Sequence, residues 1–176
     1  MGIGGLYGKT LWLEKMQPYQ LGGEMIDKVT FAKTTYNEIP YKFEAGTPNV
    51  ADAMGLGAAI DYLNGIGWDF IQAQETDLLN YATTRLEEIE GVTIVGKAAH
   101  KAAIVSFLIE GIHFFDAGTI LDHLGIAVRT GNHCTQPLMD VLGINGTLRA
   151  SMAFYNTRQE IDKLVDGIHR VKTLFA

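Results

Sequence analysis

The 176-residue sequence predicts a mixed α/β chain whose second half is a small α+β layer, helices over a sheet. Three observations carry the prediction. From residue 92 onward, period-two and helical patterns follow in the order β-β-α-β-α-β-α. The last helical pattern opens on Thr157 with Glu160, the spacing of a capping box. The first fifty residues, rich in Gly, Thr and Tyr, carry little helical period and read as hairpins and extended chain.

Taken in order, Ile3 to Tyr7 reads as a short apolar strand, and Thr10 can cap a brief helix to about Lys15. A loop and a β-prone run follow in YQLGGEMIDKVTF, and TTYNEIPYKFEAGTPN shows no helical period. Asn49 can cap a helix to about Asn64, whose small residues (Ala51, Ala53, Gly55, Gly57) would admit a close neighbour. Asp69 to Glu90 places Phe70, Ile71, Leu78, Leu79, Ala82, Leu86 and Ile89 near helical spacing. VTIVG and AAIVSFLIEG are strands, residues 115–124 helical, and AVRTG a short strand. A short helix starts at Thr135 or Gln136 with Pro137 in its first turn, where proline is welcome. TLRASMAFYN is a strand, and the final helix runs to about Phe175. The chain opens directly in a strand-like segment with nothing before it to pair with, as the back part of something larger would.

Composition bounds the function. Apolar residues are 47% and charged residues 19%, too apolar for disorder. A net charge of −6 without a basic cluster argues against nucleic acid and anionic membrane as partners. The single cysteine excludes an internal disulfide and suits a reducing, cytoplasmic setting. No apolar run approaches the roughly 20 residues of a membrane span. The five histidines, at 100, 113, 123, 133 and 169, lack metal-ligand spacing.

Two residues stand out for chemistry. Cys134 lies in RTGNHCTQP beside His133, five residues after Arg129 and just ahead of a proline-started helix. A thiol in such a setting can be activated, whereas a lone cysteine is often only a small buried hydrophobe; the residues alone leave the two readings level. Strand alternation in TLRASMAFY puts Leu148, Ala150, Met152 and Phe154 on one face and Arg149 with Ser151 on the other. Arg149 there suits a planar carboxylate, with a snorkelling edge-strand arginine as the equal alternative. In EAGTPN a phosphate contact is conceivable, but a plain turn and cap is the stronger reading of the residues themselves.

Together GIGGLYGK, GGEMIDKVTF, YKFEAGTPNVADAMGLGAAIDYL, RTGNHCTQPLM and LRASMAFYNT resemble successive blocks of the SufS-like (group II) cysteine desulfurases, aminotransferase class V, with selenocysteine lyases as near relatives. The resemblance implies an α/β, aspartate-aminotransferase-like fold (pyridoxal-phosphate fold type I), of which this chain holds the end of the large domain plus the α+β small domain. It implies the organisation 1–48 as the end of the large domain with its hairpin region, 49–90 as connecting helices, and 91–176 as the small domain with the cysteine loop. It implies a pyridoxal-phosphate enzyme that takes sulfur from L-cysteine as a persulfide on Cys134, leaves L-alanine, and feeds iron–sulfur cluster assembly.

By the same resemblance, Arg149, Arg129 and His133 lie on the substrate side, and Thr47 with Gly46 reaches the cofactor phosphate across a homodimer. A sulfur-acceptor protein of the SufE or SufU kind is the expected partner. The departures are Asn132, where relatives often have histidine, and Leu21 in place of a glycine. None of Lys9, Lys15 or Lys28 matches the family's Schiff-base lysine, which lies upstream with the ring-stacking histidine and the aspartate at the pyridine nitrogen. The expectation is therefore a chain inactive alone, needing the missing N-terminal half. The alternative is a non-catalytic module that accepts sulfur, binds the partner or drives oligomerisation. Exposed apolar surface is expected in the first fifty residues, with self-association to cover it.

Overall fold

A computed structural model of the chain describes residues 2–175. It divides into two compact units, Met1–Gly65 and Ile66–Ala176.

The first unit contains helix α1 (Thr10–Lys15), strands β1 (Ile26–Val29) and β2 (Thr34–Tyr36), a single 3-10 turn (Tyr41–Phe43) and helix α2 (Val50–Ile66). The strand expected over Ile3–Tyr7 is absent, because no neighbouring segment among the described residues supplies a ladder for it. Thr10 is the first helical residue of α1 and not its cap. Lys9 holds the cap position, and its carbonyl accepts from the Trp12 and Leu13 N–H groups at 2.9 and 3.1 Å. Lys42 closes the other end, its Nζ donating to the carbonyls of Leu13 and Glu14 at 3.2 and 3.0 Å. The antiparallel β1–β2 hairpin bulges at Asp27, whose Oδ2 accepts from Thr35 Oγ1 at 2.9 Å. Asn49 caps α2 as expected: its Oδ1 accepts from the Asp52 N–H at 3.2 Å.

Met25 is the one buried side chain among the described residues of this unit up to Val50. Leu6, Tyr7, Tyr19 and Leu21 are 79%, 88%, 82% and 70% exposed, which agrees with the expected apolar surface. No residue of α2 is buried either.

The second unit follows the expected order. Helix α3 (Trp68–Glu87) leads into β3 (Val92–Val95), β4 (Ile104–Ile109), α4 (Phe114–His123), β5 (Arg129–Gly131), α5 (Gln136–Leu142), β6 (Thr147–Ser151) and α6 (Arg158–Phe175). The strands form one antiparallel sheet in the order β3-β4-β6-β5. One face of it packs Ile94, Val105, Phe107, Ile109, Leu148 and Ala150 against α3, α4 and α6. Each fully buried large apolar side chain there contributes on the order of 1.5–3 kcal/mol. In α3 the stripe is Ile71, Leu78, Ala82 and Leu86, a helical repeat. Phe70 falls one residue off it and is exposed.

The capping box forms as predicted. The Thr157 N–H donates to Glu160 Oε2 at 2.8 Å, and the Glu160 N–H donates to Thr157 Oγ1 at 3.3 Å. α6 is fastened to α3 by Arg158, whose Nε donates to Asp77 Oδ2 at 3.0 Å, and by Asp162, which accepts from the Tyr81 hydroxyl at 2.7 Å. Among the described residues, no helix is long and apolar enough to cross a membrane.

Candidate active site

The sheet face away from α3, α4 and α6 carries the polar residues. Alternation along β6 turns Leu148 and Ala150 to the core and Thr147, Arg149 and Ser151 to this face. Register places Ser106 of β4 opposite Arg149 on one side and Arg129 of β5 opposite it on the other. β6 therefore has a hydrogen-bonded strand on both flanks, and the edge-strand reading of Arg149 fails.

Two arginines directly opposite each other on one face repel, and a sheet does not gain from that pairing by itself. An anion held between them removes the penalty. The Arg149 Nε is also buried without a hydrogen-bond partner, an arrangement that costs about 1–3 kcal/mol until an acceptor meets it. A planar carboxylate fits both requirements, since guanidinium donors match its two oxygens.

The loop between β5 and α5 brings the cysteine to this arginine pair. His133 and Cys134 both adopt left-handed backbone, at φ 54° and 63°. For non-glycine residues each such conformation costs about 1–3 kcal/mol, and it persists only where surrounding contacts impose it. Asn132 shapes the turn: its Oδ1 accepts from the Cys134 N–H at 3.1 Å, and its carbonyl accepts from the Thr135 N–H and hydroxyl at 2.9 and 2.8 Å. α5 then begins at Gln136, with Pro137 in its first turn as expected.

The turn leaves Cys134 exposed, which disposes of the buried-hydrophobe reading. Arg129 Nη2 donates to its Sγ at 3.4 Å, so a guanidinium stands directly against the sulfur. His133 turns the other way, half-buried, with Nε2 2.8 Å from the hydroxyl of Thr147. Its imidazole is held below the usual histidine range, first by burial, then by the positive charges of Arg149 and Arg129, with a Thr147 backbone hydrogen bond opposing. The surroundings therefore favour the neutral ring. Val95, Ser106, His133, Leu138, Thr147 and Arg149 help to line a cavity of about 410 Å³ on this face.

The four residues singled out on the second unit, Arg129, His133, Cys134 and Arg149, thus converge on one site. Gly46 and Thr47 belong to the first unit, in the turn ahead of α2. Thr47 is exposed, Gly46 has φ 79°, and nothing stands within 4 Å of where a Gly46 side chain would begin. The turn precedes the 17-residue helix α2, whose N-terminus Asn49 caps, and the Gly46 N–H donates to the Gly23 carbonyl at 2.9 Å. Thr147 was missed from sequence alone, although its place two residues before Arg149 on the same strand face was the available signal.

The aminotransferase class-V family model matches residues 1–164. The chain belongs to that family. It is 51% identical over 174 residues to a probable cysteine desulfurase of Halalkalibacterium halodurans, covering 99% of this chain and 43% of the relative. It is 47% identical over 176 residues to a cysteine desulfurase of Haloferax volcanii, with 99% and 41% covered.

Among solved structures, the Escherichia coli cysteine desulfurase CsdA in an S-sulfonic acid form superposes with a TM-score of 0.88 at 38% identity, covering 96% of this chain and 42% of that one. The apo cysteine desulfurase of Thermococcus onnurineus NA1 gives 0.89, also at 38% identity, with 95% and 42% covered. The fold is thus the aminotransferase-like α/β fold of cysteine desulfurases, represented in part. The chain spans about 43% of the length of the first of these relatives.

Proposed function

We propose that this chain is the substrate- and sulfur-handling part of a SufS-like cysteine desulfurase. The observation that carries the proposal is Cys134, exposed on a left-handed turn with Arg129 on its sulfur, beside a cross-strand arginine pair built for a carboxylate.

Arg149, with Arg129 beside it, binds the carboxylate of L-cysteine, and His133 forms the neutral wall behind them. Cys134 Sγ, as thiolate, takes the substrate's sulfur: one S–S bond forms as the substrate C–S bond breaks, the bond's electron pair stays with the substrate carbon, and that carbon takes up a proton, giving a persulfide on Cys134 and L-alanine. Arg129 supports the charge on the attacking sulfur and then on the persulfide. Gly46 and Thr47 would receive the phosphate of pyridoxal phosphate, which when bound supplies an electron sink for the substrate carbon. Lys42 does not serve as its Schiff-base residue in this arrangement, because its Nζ is committed to the carbonyls of Leu13 and Glu14. In this reading the working protein is a cytoplasmic homodimer, completed by the remaining length its relatives possess, and a SufE- or SufU-like acceptor takes the sulfur toward iron–sulfur clusters.

The test uses the complete protein loaded with pyridoxal phosphate and fed L-cysteine. Alanine and a single-sulfur adduct on Cys134 are expected to appear together, and Cys134→Ser is expected to lose both. Sulfur transfer that survives Cys134→Ser would refute the assignment. Arg149→Lys is expected to raise KM about 10- to 100-fold, the worth of roughly 1.4–3 kcal/mol of charge-assisted hydrogen bonding.

A further inference from the structure

We infer that His133 and Thr147 form a positioning pair that sets the Cys134 turn against the sheet. The inference rests on the sulfur-transfer reading for its purpose, but on geometry for its existence.

Two consecutive non-glycine residues in left-handed backbone do not hold themselves there. The hydrogen bonds of Asn132 are made within the loop, to Cys134 and Thr135, so they shape the turn without fixing it to the sheet. Among the described residues, two side-chain hydrogen bonds tie the loop to the strands: Arg129 to Cys134 Sγ, and His133 to Thr147. The first is exposed and joins groups that the proposed chemistry needs free to engage substrate.

The second is set deeper, because Thr147 is 1% exposed. Thr147 also lies opposite Gly131 in the ladder and shares a face with Arg149, two residues away. One hydroxyl therefore references the cysteine turn to the strand that carries the carboxylate-binding arginine. A hydroxyl buried this thoroughly requires a partner, and the imidazole Nε2 at 2.8 Å supplies it. In this role His133 acts through Cys134, by way of its Nε2 and the Thr147 hydroxyl.

The experiment uses the 176-residue chain and two readouts that need no turnover: the rate of Cys134 alkylation by iodoacetamide, and the Cys134 amide resonance in ¹⁵N spectra. Thr147→Val keeps the shape and removes the hydroxyl. It is expected to change the alkylation rate at least threefold and to move the Cys134 amide. Thr147→Ser, which keeps the hydroxyl, is expected to restore both. His133→Gln, which retains a hydrogen-bonding amide near the Nε2 position, should lie closer to wild type than His133→Leu. Urea midpoints measured in parallel identify any variant that has lost its fold, and the Thr147→Ser and His133→Gln comparisons then decide. Unchanged alkylation and an unmoved Cys134 amide in folded Thr147→Val would overturn the inference. That result would leave the sulfur chemistry untouched, since persulfide formation on Cys134 is read separately in the loaded protein.

Discussion

Strand β5, which carries Arg129, lies at a sheet edge and is held from the core side by α4. Gly118 lies tight against it: a Cβ built there would sit 2.3 Å from Thr130 Cγ2 and 3.7 Å from Thr130 Cβ. Gly118→Ala must therefore push β5 outward or force Thr130 from its rotamer, an overpacking cost of about 1–3 kcal/mol. Alanine in place of glycine inside a helix returns about 0.8–1.0 kcal/mol, so the net loss is about 0–2 kcal/mol.

Thr130→Ser removes the Cγ2 methyl and with it the clash. In that background Gly118→Ala should stabilise by about 1 kcal/mol, so the double-mutant cycle should give a coupling of about 1–3 kcal/mol. Native-state hydrogen exchange of the β4 and β6 amides reads this, because it reports the opening of the second unit by itself. If Gly118→Ala costs the same in both backgrounds, α4 does not press on β5 at this point and the packing argument is wrong.

Further outcomes follow from the same structure. Thr157→Ala should cost about 1 kcal/mol in a urea titration by opening the capping box of α6. Glu160 is held below the usual carboxylate range, first by its backbone hydrogen bond to Thr157, so the box should stabilise fully above pH about 4.3 and weaken as pH falls through the folded value. Glu160→Gln should flatten that acid limb of the stability curve. His133 is also held low, so the unfolded chain binds its proton first. Stability from the neutral ring should be complete above pH about 6.5 and decline as pH drops toward the folded value. An NMR titration of His133 with a midpoint above that of a free histidine would contradict this.

What could be read from sequence was what depends on neighbours in the chain. The capping box at Thr157, the Asn49 cap and the seven-element order from residue 92 onward are local patterns, and all are present. The stretch Ile3–Tyr7 failed because apolar residues specify a strand only where another strand receives its hydrogen bonds. The central position of β6, and hence the setting of Arg149, depends on strand order, which connects β6 to β4 across some forty residues of chain. The facing of Arg129 and Arg149 depends on register, and a one-residue slip would have turned Arg129 to the core. The left-handed turn at His133–Cys134 has no glycine to announce it and became visible only with the backbone in place.

In the proposed function, Arg129 and Arg149 grip a carboxylate beside the Cys134 sulfur. This grip is tested most directly on the 176-residue chain by comparing alkylation of Cys134 with iodoacetate, which carries a carboxylate, and with neutral iodoacetamide. Relative to a small free thiol, the iodoacetate-to-iodoacetamide rate ratio at Cys134 should be raised about tenfold or more, the worth of roughly 1.4 kcal/mol of charge-assisted binding, and it should collapse in Arg149→Met. A ratio equal to that of the free thiol, and unmoved by Arg149→Met, would contradict the account.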